Sequence, residues 1–218
     1  IFLVQIRAML RANIGLNNLQ IMLPMISTVS EVIEAKQLIN QAFLEISEEA
    51  EEGHNTIVRP KLGIMLEVPS VLYQLPQLAK HVDFFSVGSN DLTQYLLAVD
   101  RNNARVASLY NSYHPAVLGA LYDIVQKANV NRTPVTICGE IAGEPAGALL
   151  LMGMGYRRLS MNGFNLRKIN WLLRKVTLEE CKQLLSLSLT SSSQQEVFTH
   201  LNEYLERKSL AGLIRAGS

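Results

Sequence analysis

The chain has 218 residues, of which 48% are hydrophobic, so a single large domain can bury a sizeable core. Its 20 Lys and Arg residues and 19 Asp and Glu residues give a formal charge of +1, which argues against a general nucleic-acid or membrane surface. Two cysteines without a CxxC pair, no apolar stretch that could cross a bilayer and no signal peptide predict a soluble protein of the cytoplasm.

Short aliphatic runs alternate with longer amphipathic stretches, which is typical of parallel strands joined by crossover helices. The aliphatic runs predict five strands, at Leu19–Met25, Leu62–Glu67, Phe84–Gly88, Val135–Gly139 and Arg158–Asn162. The amphipathic stretches predict helices at about Leu3–Asn13, Val29–Glu52, Ser70–Ala79, Leu92–Ala98, Pro115–Asn129, Ala146–Met152, Leu166–Arg174, Leu178–Leu187 and Gln194–Arg207. The tail Lys208–Ser218 contains two glycines and is expected to be flexible.

The number of predicted strands indicates the fold class. Five strand–helix units do not close into a sheet by themselves, whereas an eight-stranded barrel that lacks its first three strands would have this pattern. The chain also begins at Ile1, without methionine and directly on a helical pattern, so we expect a fragment of a longer protein. The predicted fold is therefore α/β, a TIM-type (β/α)8 barrel present over residues 1–218 as an incomplete, N-terminally truncated domain.

Two acidic residues follow adjacent predicted strands. Glu67 closes the second strand and Asp91 follows the third, so both carboxylates are expected at the carboxyl edge of the sheet. Such a pair makes a partial site for Mg²⁺, or for Mn²⁺, because Mg²⁺ takes one or two protein carboxylates and completes its shell with water and substrate oxygens. Each residue alone also fits a simpler role, a solvated carboxylate or cap for Glu67 and a helix N-cap for the Asn90–Asp91 pair.

Groups suited to a small anionic ligand lie in the same region. Gly88 and Ser89 are small enough to let backbone amides approach a phosphate at the start of the next helix. Arg101 lies beyond that helix, and its guanidinium can reach back over the carboxyl end of the barrel to bind phosphate or carboxylate with two nitrogens. Taken alone, Arg101 would be interpreted as a surface arginine. Cys138 ends the fourth predicted strand, where a thiol can serve as an acid or base or simply be a small buried hydrophobe.

Together these residues form a recognisable pattern. The segment Asp83–Arg101 strongly resembles a signature of phosphoenolpyruvate-utilising enzymes, and the resemblance continues in the family's order and spacing. It is most similar to the phosphoenolpyruvate-protein phosphotransferases, the Enzyme I family of the bacterial phosphotransferase system. The further motifs are Gly63–Pro69, Leu109–Tyr110, His114–Ala116 and Cys138–Gly143, whereas Tyr156–Gly163 and Gly212–Arg215 resemble the nitrogen-related paralogues of this family.

The resemblance implies a role for each candidate residue. Glu67 and Asp91 match the family's Mg²⁺ ligands, and Asn90 and Asp91 match its contacts to the phosphoryl end of the substrate. Arg101 matches a phosphate-binding arginine, and Cys138 matches the thiol that protonates the enolate. The implied reaction transfers the phosphoryl group of phosphoenolpyruvate (PEP) to a histidine on a separate upstream domain and then to a phosphocarrier protein, releasing pyruvate. A homodimer is implied, and no nucleic-acid or membrane partner is expected.

Parts of the family pattern are missing. None of the four histidines has the surroundings of the family's phosphoryl-accepting histidine. Two further phosphate-binding arginines of the family come from early strands absent here, and Arg7 and Arg11 lie on the following helix and do not replace them. The chain alone is therefore not expected to catalyse the complete reaction. Two alternatives stay open: an enzyme of the pyruvate phosphate dikinase or PEP synthase type, and a non-catalytic dimerisation module.

Overall fold

The computed structural model describes residues 1–210 and 212, and within them the chain forms one parallel sheet flanked by helices. The four strands are β1 Gln20–Leu23, β2 Lys61–Leu66, β3 Phe84–Gly88 and β4 Val135–Cys138. The helices are α1 Phe2–Asn13, α2 Val29–Glu52, α3 Leu75–Leu78, α4 Ser89–Leu97, α5 Pro115–Val130, α6 Glu140–Gly143, α7 Pro145–Met154, α8 Gly163–Leu173, α9 Leu178–Thr190 and α10 Gln194–Arg207.

The strands follow one another across the sheet in chain order and are all parallel. Leu66 at the end of β2 pairs with Val87, and Gly88 at the end of β3 pairs with Cys138. Because successive parallel strands are in near register, the residues that follow β2, β3 and β4 emerge at one edge. This edge, called the carboxyl edge below, is where the predicted site residues lie.

The predicted fifth strand, Arg158–Asn162, is not a regular strand in the structure. It makes one isolated parallel bridge, between Leu159 and Ile137. Two hydrogen bonds hold it, from the Ile137 N–H to the Arg158 carbonyl at 3.2 Å and from the Ser160 N–H to the Ile137 carbonyl at 2.8 Å. The segment lies beside β4 in the position of a fifth strand, but it pairs there through one bridge only.

A second difference concerns the helix predicted at Ser70–Ala79. The structure has a 3₁₀ turn at Pro69–Tyr73 and then the single turn of α3. Pro76 lies in the first turn of α3 and has no backbone N–H, so it cannot continue a hydrogen-bonded ladder from the turn before it. The predicted continuous helix is therefore wrong, whereas α2 and α10 have the predicted bounds.

Helices α1 and α2 pack together on the outer layer. Thr28 and Glu31 form a capping box that begins α2. Arg7 makes two hydrogen bonds to Glu45, at 2.7 and 3.1 Å, and Arg11 makes two to Glu49, at 2.9 and 2.7 Å. Both guanidinium groups thus join two helices, in agreement with the expectation that these arginines do not replace the missing phosphate-binding ones.

The C-terminal helices cover the apolar helix α7. Most of α7 is buried, and α9 packs directly upon it. Beyond α10, Leu210 is buried and Lys208 forms an ion pair with Glu180 of α9. The first residues of the predicted flexible tail Lys208–Ser218 are therefore packed. Most of that tail, with most of the motif Gly212–Arg215, lies outside the described residues. In the described part of the chain, no helix has the length and apolar character needed to cross a membrane.

Candidate active site

Glu67 lies directly after β2 at the carboxyl edge and is only 3% exposed. One of its carboxylate oxygens, Oε1, accepts a hydrogen bond of 2.7 Å from the backbone N–H of Met25. Met25 follows β1 and has a positive φ of 55°, a conformation that is uncommon for a residue with a side chain. The strained backbone after β1 therefore aims an N–H group at the Glu67 carboxylate and orients it.

The last residue of β3 makes room for this carboxylate. A Cβ atom at Gly88 would lie 2.5 Å from Glu67 Oε2 and 2.9 Å from the Met65 methyl carbon. Both distances are shorter than packed atoms tolerate, so a side chain at this position would displace the ends of the Glu67 and Met65 side chains. The sequence-based expectation for Gly88 was access for a phosphate, and the structure adds that Gly88 lets β3 approach the Glu67 side chain.

Asp91 lies in the first turn of α4, three residues beyond the end of β3. It is not an N-cap, because α4 is capped by Gly88 without a side-chain hydrogen bond, and the helix-cap interpretation of Asn90–Asp91 is wrong. Asp91 Oδ1 instead accepts a hydrogen bond from Arg101 Nη2 at 3.3 Å. Both side chains are about one-third exposed, at 36% for Asp91 and 35% for Arg101.

Asn90 connects the segments that follow β3 and β4. Its side-chain oxygen accepts a hydrogen bond of 3.1 Å from the backbone N–H of Glu140, at the start of α6. Its backbone carbonyl accepts one of 3.3 Å from the hydroxyl of Tyr110. Asn90 therefore joins the start of α4 to the start of α6 and to the loop before α5.

Cys138 is half-buried at the end of β4, where its thiol donates a hydrogen bond of 3.3 Å to the Val87 carbonyl. Burial is the largest cause that raises the pKa of this thiol above its usual value, and a hydrogen bond with Ser86 opposes the rise. The negative charges of Glu67 and Asp91 raise the same pKa further. Both carboxylates thus act on one thiol, which stays protonated at neutral pH.

The turn after Cys138 depends on Gly139. This residue has a φ of 105°, which side-chain-bearing residues rarely adopt, and a Cβ atom there would collide with the Ser89 hydroxyl. That hydroxyl is buried and donates a hydrogen bond of 2.7 Å to the Cys138 carbonyl. The glycine and the serine together hold the ends of β3 and β4 in contact.

We therefore expect Gly139→Ala to lower the free energy of unfolding by about 1 to 3 kcal/mol, because the new methyl group meets both a strained φ and the Ser89 hydroxyl. The matched control is Gly119→Ala in α5, where an added Cβ atom meets nothing within 4 Å. That variant should be neutral or more stable by up to about 1 kcal/mol. Urea unfolding of both variants checks this, and equal free energies would contradict the assigned role of Gly139.

Two open cavities, each of about 540 Å³, lie beside one another at the carboxyl edge and share Asn90 and Glu140. The volumes are within the range of small-molecule sites. Cys138 lines one and Arg101 lines the other. The other lining residues of the first are Gly139, Gly143, Glu144, Ser160, Met161, Asn162 and Asn165; those of the second are Asn102, Ala107 and Tyr110.

The donor set fits a hard divalent cation only in combination with a ligand. Among residues 1–210 and 212, no three His, Cys, Asp or Glu side chains cluster as a complete metal site. Glu67 nevertheless buries a carboxylate, and burying an unpaired charge is costly unless a cation or hydrogen bonds offset it. Two carboxylates on neighbouring strand ends are what Mg²⁺ uses when substrate oxygens and water supply its other ligands.

Three contributors to this edge escaped the sequence analysis: the Met25 N–H, the Ser86 side chain and the Tyr110 hydroxyl. Nothing in the residue type of Met25 signals a left-handed backbone. Ser86 did carry a signal, since it is a polar residue inside an otherwise apolar strand. Tyr110 was part of a family motif, but its contact with Asn90 depends on how the loop before α5 folds back.

Comparison with known proteins identifies the family. Residues 1–178 match the model of the PEP-utilising enzymes, PEP-binding domain. Over 217 residues the chain is 49% identical to proteins of Salmonella typhimurium and Escherichia coli named phosphoenolpyruvate-dependent phosphotransferase system. It is 39% identical over 206 residues to the phosphoenolpyruvate-protein phosphotransferase of Haemophilus influenzae. The chain aligns over its whole length with the first two but spans only 29% of theirs, and 35% of the third.

Solved structures confirm the fold. A citrate lyase from Burkholderia xenovorans superposes with a TM-score of 0.57 at 16% identity, covering 95% of this chain and 69% of that one. An HpcH/HpaI aldolase/citrate lyase family protein from Burkholderia cenocepacia gives 0.51 at 17% identity, covering 84% and 68%. Together with the parallel sheet, these similarities confirm the predicted α/β class and the incomplete TIM-type barrel.

Proposed function

This chain belongs to the PEP-utilising enzymes, as their PEP-binding domain, and we propose that it binds PEP in a PEP-protein phosphotransferase. In the proposed reaction the phosphoryl group passes to a histidine on an upstream domain and then to a phosphocarrier protein, and pyruvate is released. The observation that carries this proposal is the arrangement at the carboxyl edge. Cys138 and Arg101 line two adjacent cavities of the right size for a small anion, and the carboxylates of Glu67 and Asp91 lie close enough to Cys138 for their charges to raise its pKa.

We propose that Glu67 and Asp91 hold Mg²⁺ or Mn²⁺, since their oxygens form the donor set that such ions share with a phosphorylated substrate. When bound, the cation would offset the charge on the phosphoryl oxygens. Asn90 and Asp91 would contact the phosphoryl end of PEP, and Arg101 would bind its phosphate as a cationic fork.

The proposed role of Cys138 is to donate its thiol proton to the methylene carbon of enolpyruvate. This forms the C–H bond of the pyruvate methyl group and leaves a thiolate that must be reprotonated. Its raised pKa supports this role, because a group that donates a proton must still hold it at neutral pH.

The setting of the proposed enzyme follows from the resemblance and the composition. We propose the nitrogen-related subgroup, supported by the similarity of Tyr156–Gly163, and a homodimer, supported by the family resemblance alone. A cytoplasmic location is supported by the unpaired Cys138 and Cys181, which suit a reducing compartment. The names of the relatives favour a phosphotransferase over the dikinase or synthase alternative. The residues assembled at the edge favour a binding domain over a module that only dimerises.

Calorimetry on the full-length protein tests the proposal. PEP should bind with measurable heat in the presence of Mg²⁺ or Mn²⁺ and at least about tenfold more weakly in a chelator, because the cation joins the carboxylates to the phosphate. Inorganic phosphate serves as the control ligand and should bind far more weakly than PEP. Equal PEP affinity with and without the cation would overturn the proposed function.

A further inference from the structure

The arginine–carboxylate pairs of the described chain are of two kinds. Arg7 and Arg11 each grip a glutamate with two nitrogens at 2.7 to 3.1 Å, the usual geometry of a strong guanidinium–carboxylate pair. Arg101 touches Asp91 with one nitrogen only, at 3.3 Å. Strong ionic hydrogen bonds are shorter, at about 2.7 to 2.9 Å, so the Arg101–Asp91 contact is loose by comparison.

The two groups of this loose pair stand at different parts of the carboxyl edge. Asp91 lies close enough to Cys138 for its charge to raise the pKa of the thiol. The Arg101 side chain lines the neighbouring cavity, with Asn102 and Tyr110. The arginine that contacts Asp91 thus also lines an open cavity, and both side chains keep about one-third of their surface exposed. An ion pair this exposed contributes little free energy and is easily given up.

If the proposed function holds, the Asp91 carboxylate has two possible partners, the Arg101 guanidinium and the divalent cation. A guanidinium and a divalent cation repel each other and compete for the charge of Asp91. A phosphate that enters the cavity lined by Arg101 offers the guanidinium an anion of higher charge than a carboxylate. The preferred partner of Arg101 therefore changes when a phosphorylated ligand arrives.

We propose that Arg101 is a displaceable counter-ion. Without ligand it neutralises Asp91 and weakens cation binding there, and when PEP binds it moves to the phosphate and leaves Asp91 to the cation. This inference rests on the proposed function and adds to it a mechanism of coupling: PEP and the cation strengthen each other's binding through one arginine. Linkage requires the effect to be reciprocal, so each ligand raises the affinity of the other by the same factor.

The test measures Mn²⁺ binding by the electron paramagnetic resonance signal of free Mn²⁺, on the full-length protein, with and without PEP. In Arg101→Gln, the affinity for Mn²⁺ without PEP should rise about two- to fivefold, because the competing cation is gone. The factor by which saturating PEP raises Mn²⁺ affinity should shrink correspondingly. The control is Arg105→Gln, which removes the same charge from an exposed residue of the same loop and should leave both quantities unchanged.

The outcomes separate the inference from the function on which it rests. Unchanged or weaker PEP-free Mn²⁺ binding in Arg101→Gln would overturn the counter-ion role, because removal of a competing positive charge must strengthen Mn²⁺ binding. A gain in Mn²⁺ affinity is not expected if Arg101 has a structural role only. An equal gain in Arg105→Gln would also overturn it, since the effect would then be general electrostatics. Failure of the unmodified protein to couple Mn²⁺ and PEP at all would instead contradict the proposed function. Matching melting temperatures of the variants confirm that each is folded.

Discussion

Glu67→Gln is expected to weaken Mn²⁺-dependent PEP binding by at least about 100-fold, the largest loss of ligand affinity that we predict for a single side chain at this edge. Glutamine keeps the shape of the side chain and an oxygen that can accept the Met25 N–H, so the local structure should persist. What it removes is the negative charge, and a hard divalent cation binds a neutral amide far less strongly than a carboxylate.

Two measurements separate a ligand role from a structural one. Calorimetry with Mn²⁺ and PEP gives the affinity, and urea unfolding gives the stability. Because Glu67 is buried, losing its charge should leave the free energy of unfolding unchanged or slightly higher. The control is Glu203→Gln on α10, an exposed carboxylate, which should bind PEP normally. Unchanged Mn²⁺-dependent PEP binding in Glu67→Gln would refute the proposed role of Glu67 as a ligand of the cation.

Cys138→Ala is expected to slow pyruvate formation by about 10²- to 10⁴-fold while leaving phosphoryl exchange partly intact. Phosphoryl transfer does not require the thiol in the proposed reaction, whereas proton delivery to the enolpyruvate does. Single-turnover assays that follow pyruvate and the phosphorylated protein separately would resolve the two steps. The control is Cys181→Ala, the other free cysteine, which is buried in α9 and should cost packing stability but not activity.

The proton-donor role also predicts a pH dependence. Because burial raises the pKa of Cys138 above its usual value, the thiol keeps its proton through neutral and mildly alkaline pH. Pyruvate formation limited by this step should therefore fall only in the alkaline range, above the usual thiol pKa, and this alkaline fall should disappear in Cys138→Ala. Normal pyruvate release by that variant would remove the role altogether.

Local patterns in the chain were enough for the positions of most elements. The predicted and observed bounds agree within about two residues for four strands, because buried parallel strands need continuous apolar runs whatever their neighbours are. Helices α2 and α10 have the predicted ends, since their caps are local: Thr28 and Ser193 each accept a hydrogen bond from a backbone N–H three residues on.

The two failed predictions have different physical causes. Whether Arg158–Asn162 forms a full strand depends on how much of its backbone lies within hydrogen-bond reach of β4, and only Leu159 forms a bridge there. The break in the helix predicted at Ser70–Ala79 could have been predicted from the sequence alone, because Pro76 lies within that range. The difference is that a proline breaks a helix through its own atoms, whereas a strand acquires its hydrogen bonds from other segments.

The sequence by itself determined which residues meet at the carboxyl edge, because alternation of strands and helices places the residues that follow each strand on one side of a parallel sheet. Glu67, Asp91 and Cys138 could be named on that basis. Only the tertiary structure decided how they are held. The Met25 N–H on Glu67 and the single contact of Arg101 with Asp91 depend on backbone torsions and on distances between loops. The residue types alone do not fix these torsions and distances, which are set by how the loops pack against one another.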